Sequence, residues 1–315
     1  MNKIITIDCD YTREKFACAY LVHDDEHALF IDNNTSHSVP ILLDALKKTG
    51  LTTAHVQYVI ITHVHLDHAG GSSALMKACP NAVLLGHPRA TPHMIDPAKL
   101  IASAEAVYGQ ERFAALYGRI EPVPAARVRA VGDGEKIAFG AAELRFLFTR
   151  GHANHHVCIV LSEKNSKAPK IFTGDAFGLA YPALQGQGLF IFPSTSPTDF
   201  DALEAKKSIQ SILDSGADEA FLTHYGSVTE LANAAKQMDA MIDFSEGLLS
   251  RAGEQNLAHE ELVPFFTKEL RQKMRELLQA HGLRLEGDIE NLLRMDLDLN
   301  AQGLAHVFEK RRRKA

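Results

Sequence analysis

A chain of 315 residues with 46% apolar and 23% charged side chains is long enough to bury its own core and falls in the ordinary globular range, which excludes disordered, collagenous and low-complexity proteins. Its 33 basic against 39 acidic residues leave a net charge of −6, the wrong balance for a protein that works by neutralising nucleic-acid phosphates. No run of about 18 apolar residues could span a bilayer, and the first residues already reach an acid at Asp8, so no secretory segment is read there. The expectation is a cytoplasmic protein without nucleic-acid or membrane partners. Cys9, Cys18, Cys79 and Cys158 form no C-x-x-C pair and read as buried free thiols. Tryptophan is absent while histidine occurs sixteen times; neutral imidazole is the commonest metal ligand.

Residues 16–22 and 28–32 read as a strand pair around the polar break 23–26, followed by a helix over 39–48 that stops at Gly50. The β-branched run 56–62 suits a strand covered on both faces. A helix over 71–77 and a strand over 82–85 come next, then 97–118, helical in two pieces broken near Gly109. Strands return over 127–131, 136–139, 143–148, 157–161 and 170–173. Two groups of strands with helices between them predict two sheets with helices outside.

Past the proline-rich loop 192–197, residues 198–215 predict a helix with Ser196 as N-cap and Pro197 in the first turn, and 218–223 a last strand. Beyond it the pattern is helical. Leu231, Ala234, Met238, Met241, Ile242 and Leu249 fall on one face, and Phe266, Leu270, Met274 and Leu277 on another before a stop at His281-Gly282. This places a mixed α/β domain over 1–228 and a helical domain over 229–315. The latter is small for an independent core and is expected to cover the site, to form a homodimer, or both. The basic tail 310–314 reads as a solvated helix end.

One segment carries the chemistry. Thr62-His63-Val64-His65-Leu66-Asp67-His68-Ala69-Gly70-Gly71 sets H-x-H-x-D-H directly after a buried strand. Alternation continued past Thr62 directs His63 and His65 to one side, and a following loop brings Asp67 and His68 to a neighbouring position. Three imidazoles and a carboxylate thus offer two adjacent half-sites. Gly70 and Gly71 then permit a sharp turn into the next helix. Without a central cation such crowding would be costly, since a buried polar cluster destabilises unless every member is satisfied. Potential ligands recur at three further strand ends: His152 after 143–148, Asp175 after 170–173, and His224 after the final strand. Loops at the ends of a rigid sheet are where binding groups commonly sit.

The H-x-H-x-D-H cluster followed by G-H, G-D and a late T-H, in this order, resembles the metallo-β-lactamase-fold superfamily over about residues 3–228. The resemblance implies an α/β fold, a four-layer αββα sandwich with a C-terminal helical extension, and a binuclear metal site along one edge of the sheets. It implies His63, His65 and His152 as ligands of one divalent metal, Asp67, His68 and His224 as ligands of a second, and Asp175 as the bridge. Zinc is the expected metal, with iron and manganese the alternatives for a thiolate-free set. The implied chemistry is hydrolysis by a metal-bridging hydroxide, with Asp67 orienting it or accepting the proton and Tyr181 and Tyr225 as candidate donors to the oxyanion. Arg150 stands where many members carry proline, and Asn154-His155 where they carry Pro-Gly, which alters the loop flanking His152. His155 and His156 read as groups beside the ligands, and His87 and His93 as loop or surface residues.

The apolar stretch containing Phe177, Leu179, Tyr181, Leu184, Phe190 and Phe192 either caps the site and accepts an acyl chain or packs against the C-terminal helices. The helical extension resembles those of thioester-hydrolysing members and of the quinolone-signal responder, while H-x-H-x-D-H-A-G-G is closer to the lactonases. His65 in place of glutamate disfavours the flavodiiron members. The resulting expectation is a dinuclear metal hydrolase of a thioester or lactone with an apolar acyl portion. Two others stand beside it: a mononuclear-iron persulfide dioxygenase, and a ligand-sensing regulatory protein that retains the metal site.

Overall fold

The computed structural model describes residues 2–164, 166–195 and 199–314. They fall into two compact units, one of Met1–Phe148, His155–Gly174 and Asp214–Thr229, the other of Thr149–Asn154, Asp175–Leu213 and Glu230–Ala315. The division expected at 228/229 is therefore incomplete: two earlier stretches belong with the C-terminal helices.

The first unit holds both sheets. Strands β1 (Lys3–Asp8), β2 (Cys18–His23), β3 (Ala28–Ile31), β4 (Val56–Ile60), β5 (Val83–Gly86) and β6 (Val128–Ala130) lie in chain order, antiparallel from β1 to β3 and parallel from β3 to β6. The second sheet contains β7 (Lys136–Phe139), β8 (Ala142–Phe148), β9 (Val157–Glu163), β10 (Lys170–Gly174), β11 (Glu219–Leu222) and β12 (Gly226–Val228), with β10 and β11 its one parallel pair. Helices α1 (Val39–Lys48), α2 (Leu66–Ala69), α3 (Ser72–Ala78), α4 (Thr91–Ile95), α5 (Ala98–Tyr108) and α6 (Gln110–Tyr117) connect the strands of the first sheet.

Strand alternation sorts this unit's apolar residues into two layers. Cys18, Tyr20 and Val22 of β2 and Leu29 and Ile31 of β3 share one cluster with Leu144, Phe146, Ile159, Phe172 and Phe221 from the other sheet. Ala19, Leu21, Ala28 and Phe30 point the opposite way and meet Val39, Leu42 and Leu46 of α1 and Leu75 and Met76 of α3. The first sheet is thus covered on both faces, which explains why β2 and β3 are buried throughout and read as continuous apolar runs. Strand β1 escaped the sequence reading because it is an edge: only Ile7 is buried, so its pattern is weak.

The second unit contains α7 (Ala202–Asp214), α8 (Leu231–Glu254), α9 (His259–Ala280) and α10 (Gly287–Arg312). The expected cap Ser196-Pro197 lies outside the described residues. Within them, Asp201 caps α7 by accepting from the Glu204 amide at 3.0 Å. The apolar stripe of α8 is buried as expected, but that of α9 ends on Leu278 rather than Leu277, the spacing that continues Phe266, Leu270 and Met274 by whole turns. These faces are spent inside the unit. So is the stretch after Asp175: Phe177, Leu179, Tyr181, Leu184, Phe190 and Phe192 are all buried, and the Gln237 side chain of α8 donates to Leu189 O and accepts from the Ile191 amide. The stretch packs against the C-terminal helices, one of the two readings of it. Among the described residues no helix is long and apolar enough to cross a membrane.

All four cysteines are free and buried. Burial pushes the thiols of Cys18 and Cys79 up to about 12, raises that of Cys9, and raises the phenol of Tyr20. Thiolate is the reactive form, so Cys9, Cys18 and Cys79 are expected to resist Ellman's reagent at pH 8 in the folded protein and to react once it is unfolded. A folded pKa above the unfolded value of about 8.5 makes stability complete below that value and lost as pH rises. Thermal melts should therefore fall progressively above about pH 9; a flat profile to pH 11 contradicts this.

Candidate metal centre

Within the first unit the ligand segment is shaped by the residues that follow β3. Asp32, buried and at φ 54°, ends the strand with its carboxylate facing inward. It accepts from the Thr62 amide at 2.8 Å, from the Thr62 hydroxyl at 3.0 Å, from the Thr223 hydroxyl at 2.9 Å and from His68 Nδ1 at 2.7 Å. Its neighbours continue the grip. The Asn33 amide donates to His68 O, the Asn34 side chain to Asp67 O, and the Gly71 amide to Asn34 O. Asp67 and His68 lie on the short helix α2 rather than on the expected loop. Gly70 and Gly71 have ordinary negative φ, so their role is close approach: a Cβ on Gly71 would stand 2.6 Å from Asn33 O.

This frame sets the imidazoles. A carboxylate only accepts, so His68 carries its proton on Nδ1 and turns Nε2 toward Asp67, 4.0 Å from Oδ2. His224, which follows β11, donates from Nδ1 to Phe16 O at 2.8 Å and holds Nε2 3.3 Å from the same Asp67 oxygen. Ligand atoms of Asp67, His68 and His224 all lie within 4.8 Å of one another. His63, fully buried, places Nε2 2.8 Å from His65 Nδ1. His155 accepts from the Val64 amide at 3.5 Å, and the His156 ring lies 5.0 Å from that of His63, so both lie beside the 63–65 segment. His87 is not a surface residue: it is buried and packs 4.2 Å from the Phe148 ring.

The second unit brings His152 and Asp175 together. His152 donates from Nδ1 to Ser194 O at 3.3 Å and sets Nε2 3.4 Å from Asp175 Oδ2; both are buried. Tyr181 is fully buried in this unit, its hydroxyl donating to Asp296 on α10 at 3.2 Å, which commits that hydrogen to a structural contact. Tyr225, half-buried beside His224, packs on the core between the sheets, and burial raises its phenol above the usual range.

Imidazole and carboxylate donors without thiolate, with ring tautomers fixed by acceptors behind them, fit a divalent metal. Asp67, His68 and His224 have the dimensions and chemistry of such a site. Asp32 is the functional residue that sequence reasoning missed; its only signal was an acid closing an apolar strand before Asn33-Asn34.

Two facing sheets with imidazole and carboxylate groups at their strand ends make an α/β fold whose side-chain cluster is compatible with a divalent metal. The metallo-beta-lactamase superfamily model matches residues 14–224, and the chain belongs to that superfamily, with the αββα fold and C-terminal helices. The crystal structure of the archaeal superfamily protein ST1585 from Sulfolobus tokodaii aligns with TM-score 0.64 at 20% identity, over 96% of this chain and 97% of that one. By sequence, ST1585 is 26% identical over 58% of this chain and 63% of its own length. A hydroxyacylglutathione hydrolase-like protein of Gallus gallus is 29% identical over 49% of this chain and 45% of its own. An atrochrysone carboxyl ACP thioesterase of Aspergillus fumigatus is 24% identical over 50% and 28%. The matches thus span less than two thirds of each curated relative.

Proposed function

We propose that the protein is a metal-dependent hydrolase of acyl thioesters, with lactones as the next class, and that His63, His65, Asp67, His68, His152, Asp175 and His224 hold two divalent metals, zinc foremost. The observation that carries this reading is the shared orientation device: His68, His224 and His152 each donate from Nδ1 to an oxygen that only accepts, which leaves Nε2 as the metal-binding nitrogen. When bound, the metals supply a Lewis acid and bring the pKa of water toward neutrality. Asp67, half-buried and beside His224 Nε2, is the carboxylate placed to orient the nucleophile and take its proton. The thioester preference is supported by relatives named as a hydroxyacylglutathione hydrolase-like protein and an acyl-carrier thioesterase.

The test is turnover by zinc-, iron- and manganese-loaded protein of a panel of thioesters of graded acyl length, lactones and phosphodiesters, with metal counting. Thioester or lactone cleavage, lost on chelation and restored by metal, is expected. Negligible turnover across the panel, or a single tightly held iron with oxygen uptake on a persulfide, would sink the proposal.

A further inference from the structure

The buried polar groups of α10 lead to a second role for the C-terminal helices. Asn300 is 6% exposed and sits mid-helix, a position where a polar amide weakens the packing unless it is fully bonded. Its side chain is used at both ends: Oδ1 accepts from the Thr195 amide at 2.7 Å and Nδ2 donates to Pro193 O at 3.1 Å. The Thr195 hydroxyl adds a bond to Asn300 O at 3.3 Å. Between those two anchors lies Ser194, whose carbonyl accepts from His152 Nδ1.

The Ser194 carbonyl and the Thr195 amide belong to one planar peptide unit, and in a trans peptide they point in opposite directions. Asn300 therefore grips the N–H end of the peptide whose oxygen end orients His152. Rotation of this peptide would withdraw the acceptor from His152 Nδ1 and release the tautomer that presents Nε2 beside Asp175. The two hydrogen bonds also polarise the same amide in the same sense, each strengthening the other.

We infer that Asn300 is a positioning residue for the metal ligand His152, acting through the 194–195 peptide, so that the C-terminal helix completes the support of the metal centre. The inference rests on the assignment of His152 as a ligand, and it assigns to α10 a role that neither covering the site nor dimerising would require.

Zinc affinity of the full-length protein, measured by competition with a chromophoric chelator, tests it in a double-mutant cycle. Asn300→Leu is expected to weaken zinc binding about 10-fold or more, and to have no further effect when added to His152→Ala. Leu304→Ala, one turn along on the same buried face of α10, loosens the helix and removes none of the hydrogen bonds that Asn300 makes to 193–195; it should lower the melting temperature while leaving zinc affinity unchanged. Equal losses from Leu304→Ala and Asn300→Leu, additivity with His152→Ala, or wild-type affinity in Asn300→Leu would each overturn the inference. If His152→Ala itself binds zinc at full affinity and stoichiometry, the ligand assignment fails instead. Wild-type protein supplies a check that needs no variant to fold: zinc loading should slow hydrogen exchange at the Thr195 amide, and an unchanged rate counts against the relay.

Discussion

Asp32→Ala is expected to cost about 3–5 kcal/mol of stability and to lower metal affinity about 10–100-fold, although Asp32 is not assigned as a ligand. The magnitude follows from what the carboxylate holds. Four donors converge on it, two from Thr62 and one each from His68 and Thr223, and all are buried. Truncation leaves each of them facing a cavity without its acceptor. The consequences for the metal centre are separate. His68 loses the partner that keeps its proton on Nδ1, and Thr62 and Thr223, which precede His63 and His224, lose their common anchor. Asp32→Asn should recover only part of the loss, because an amide offers one acceptor oxygen and turns a donor toward the remaining donors. Chemical denaturation and zinc titration of the two variants check this. A folded Asp32→Ala protein with wild-type zinc affinity would falsify the view that the ligand segment is set from behind.

That anchor shows where sequence reasoning stops. The imidazole and carboxylate groups proposed as ligands were legible because H-x-H-x-D-H is dense and local, and because His152, Asp175 and His224 follow strands whose apolar runs are unambiguous. The two-sheet architecture was legible for the same reason. Asp32 was not, since an acid followed by Asn33-Asn34 after a strand is also the composition of an ordinary solvated turn. Only the tertiary fold turns it inward. Strand β1 has one buried residue and β12 only three residues, too little pattern for either to register. Tyr181 reads as a candidate donor from its nearness to Asp175 in sequence, yet a buried aspartate on α10, more than a hundred residues later, takes its hydroxyl. Asn300 lies equally far from the Ser194 peptide in sequence, and nothing in the spacing of a polar residue on a helix names its partner.

Gly151→Ala is expected to have a large effect for a single methyl. Gly151 has φ 114°, a region an L side chain rarely adopts, and it carries the loop directly onto α7. There the Asp201 amide donates to Gly151 O at 2.9 Å and the Ser208 hydroxyl to Arg150 O at 2.6 Å. A Cβ at this position would stand 2.3 Å from both the N and Cα of Ala205 and 2.7 Å from its Cβ. The nearest obstacles are backbone, so no rotamer change relieves the clash; the loop or the first turns of α7 must move. Strain and overpacking together are expected to cost about 3–5 kcal/mol. Because His152 is the next residue, the shift is inherited by its ring, which must leave either Ser194 O or Asp175. Zinc affinity should fall at least about 10-fold in whatever fraction remains folded. Adding Ala205→Gly separates the causes. It removes only the more distant Cβ, so it should leave both the melting temperature and the metal affinity of Gly151→Ala largely unrestored. Full rescue would mean that the side chain of Ala205, and not the path of the α7 backbone, dictates glycine before His152.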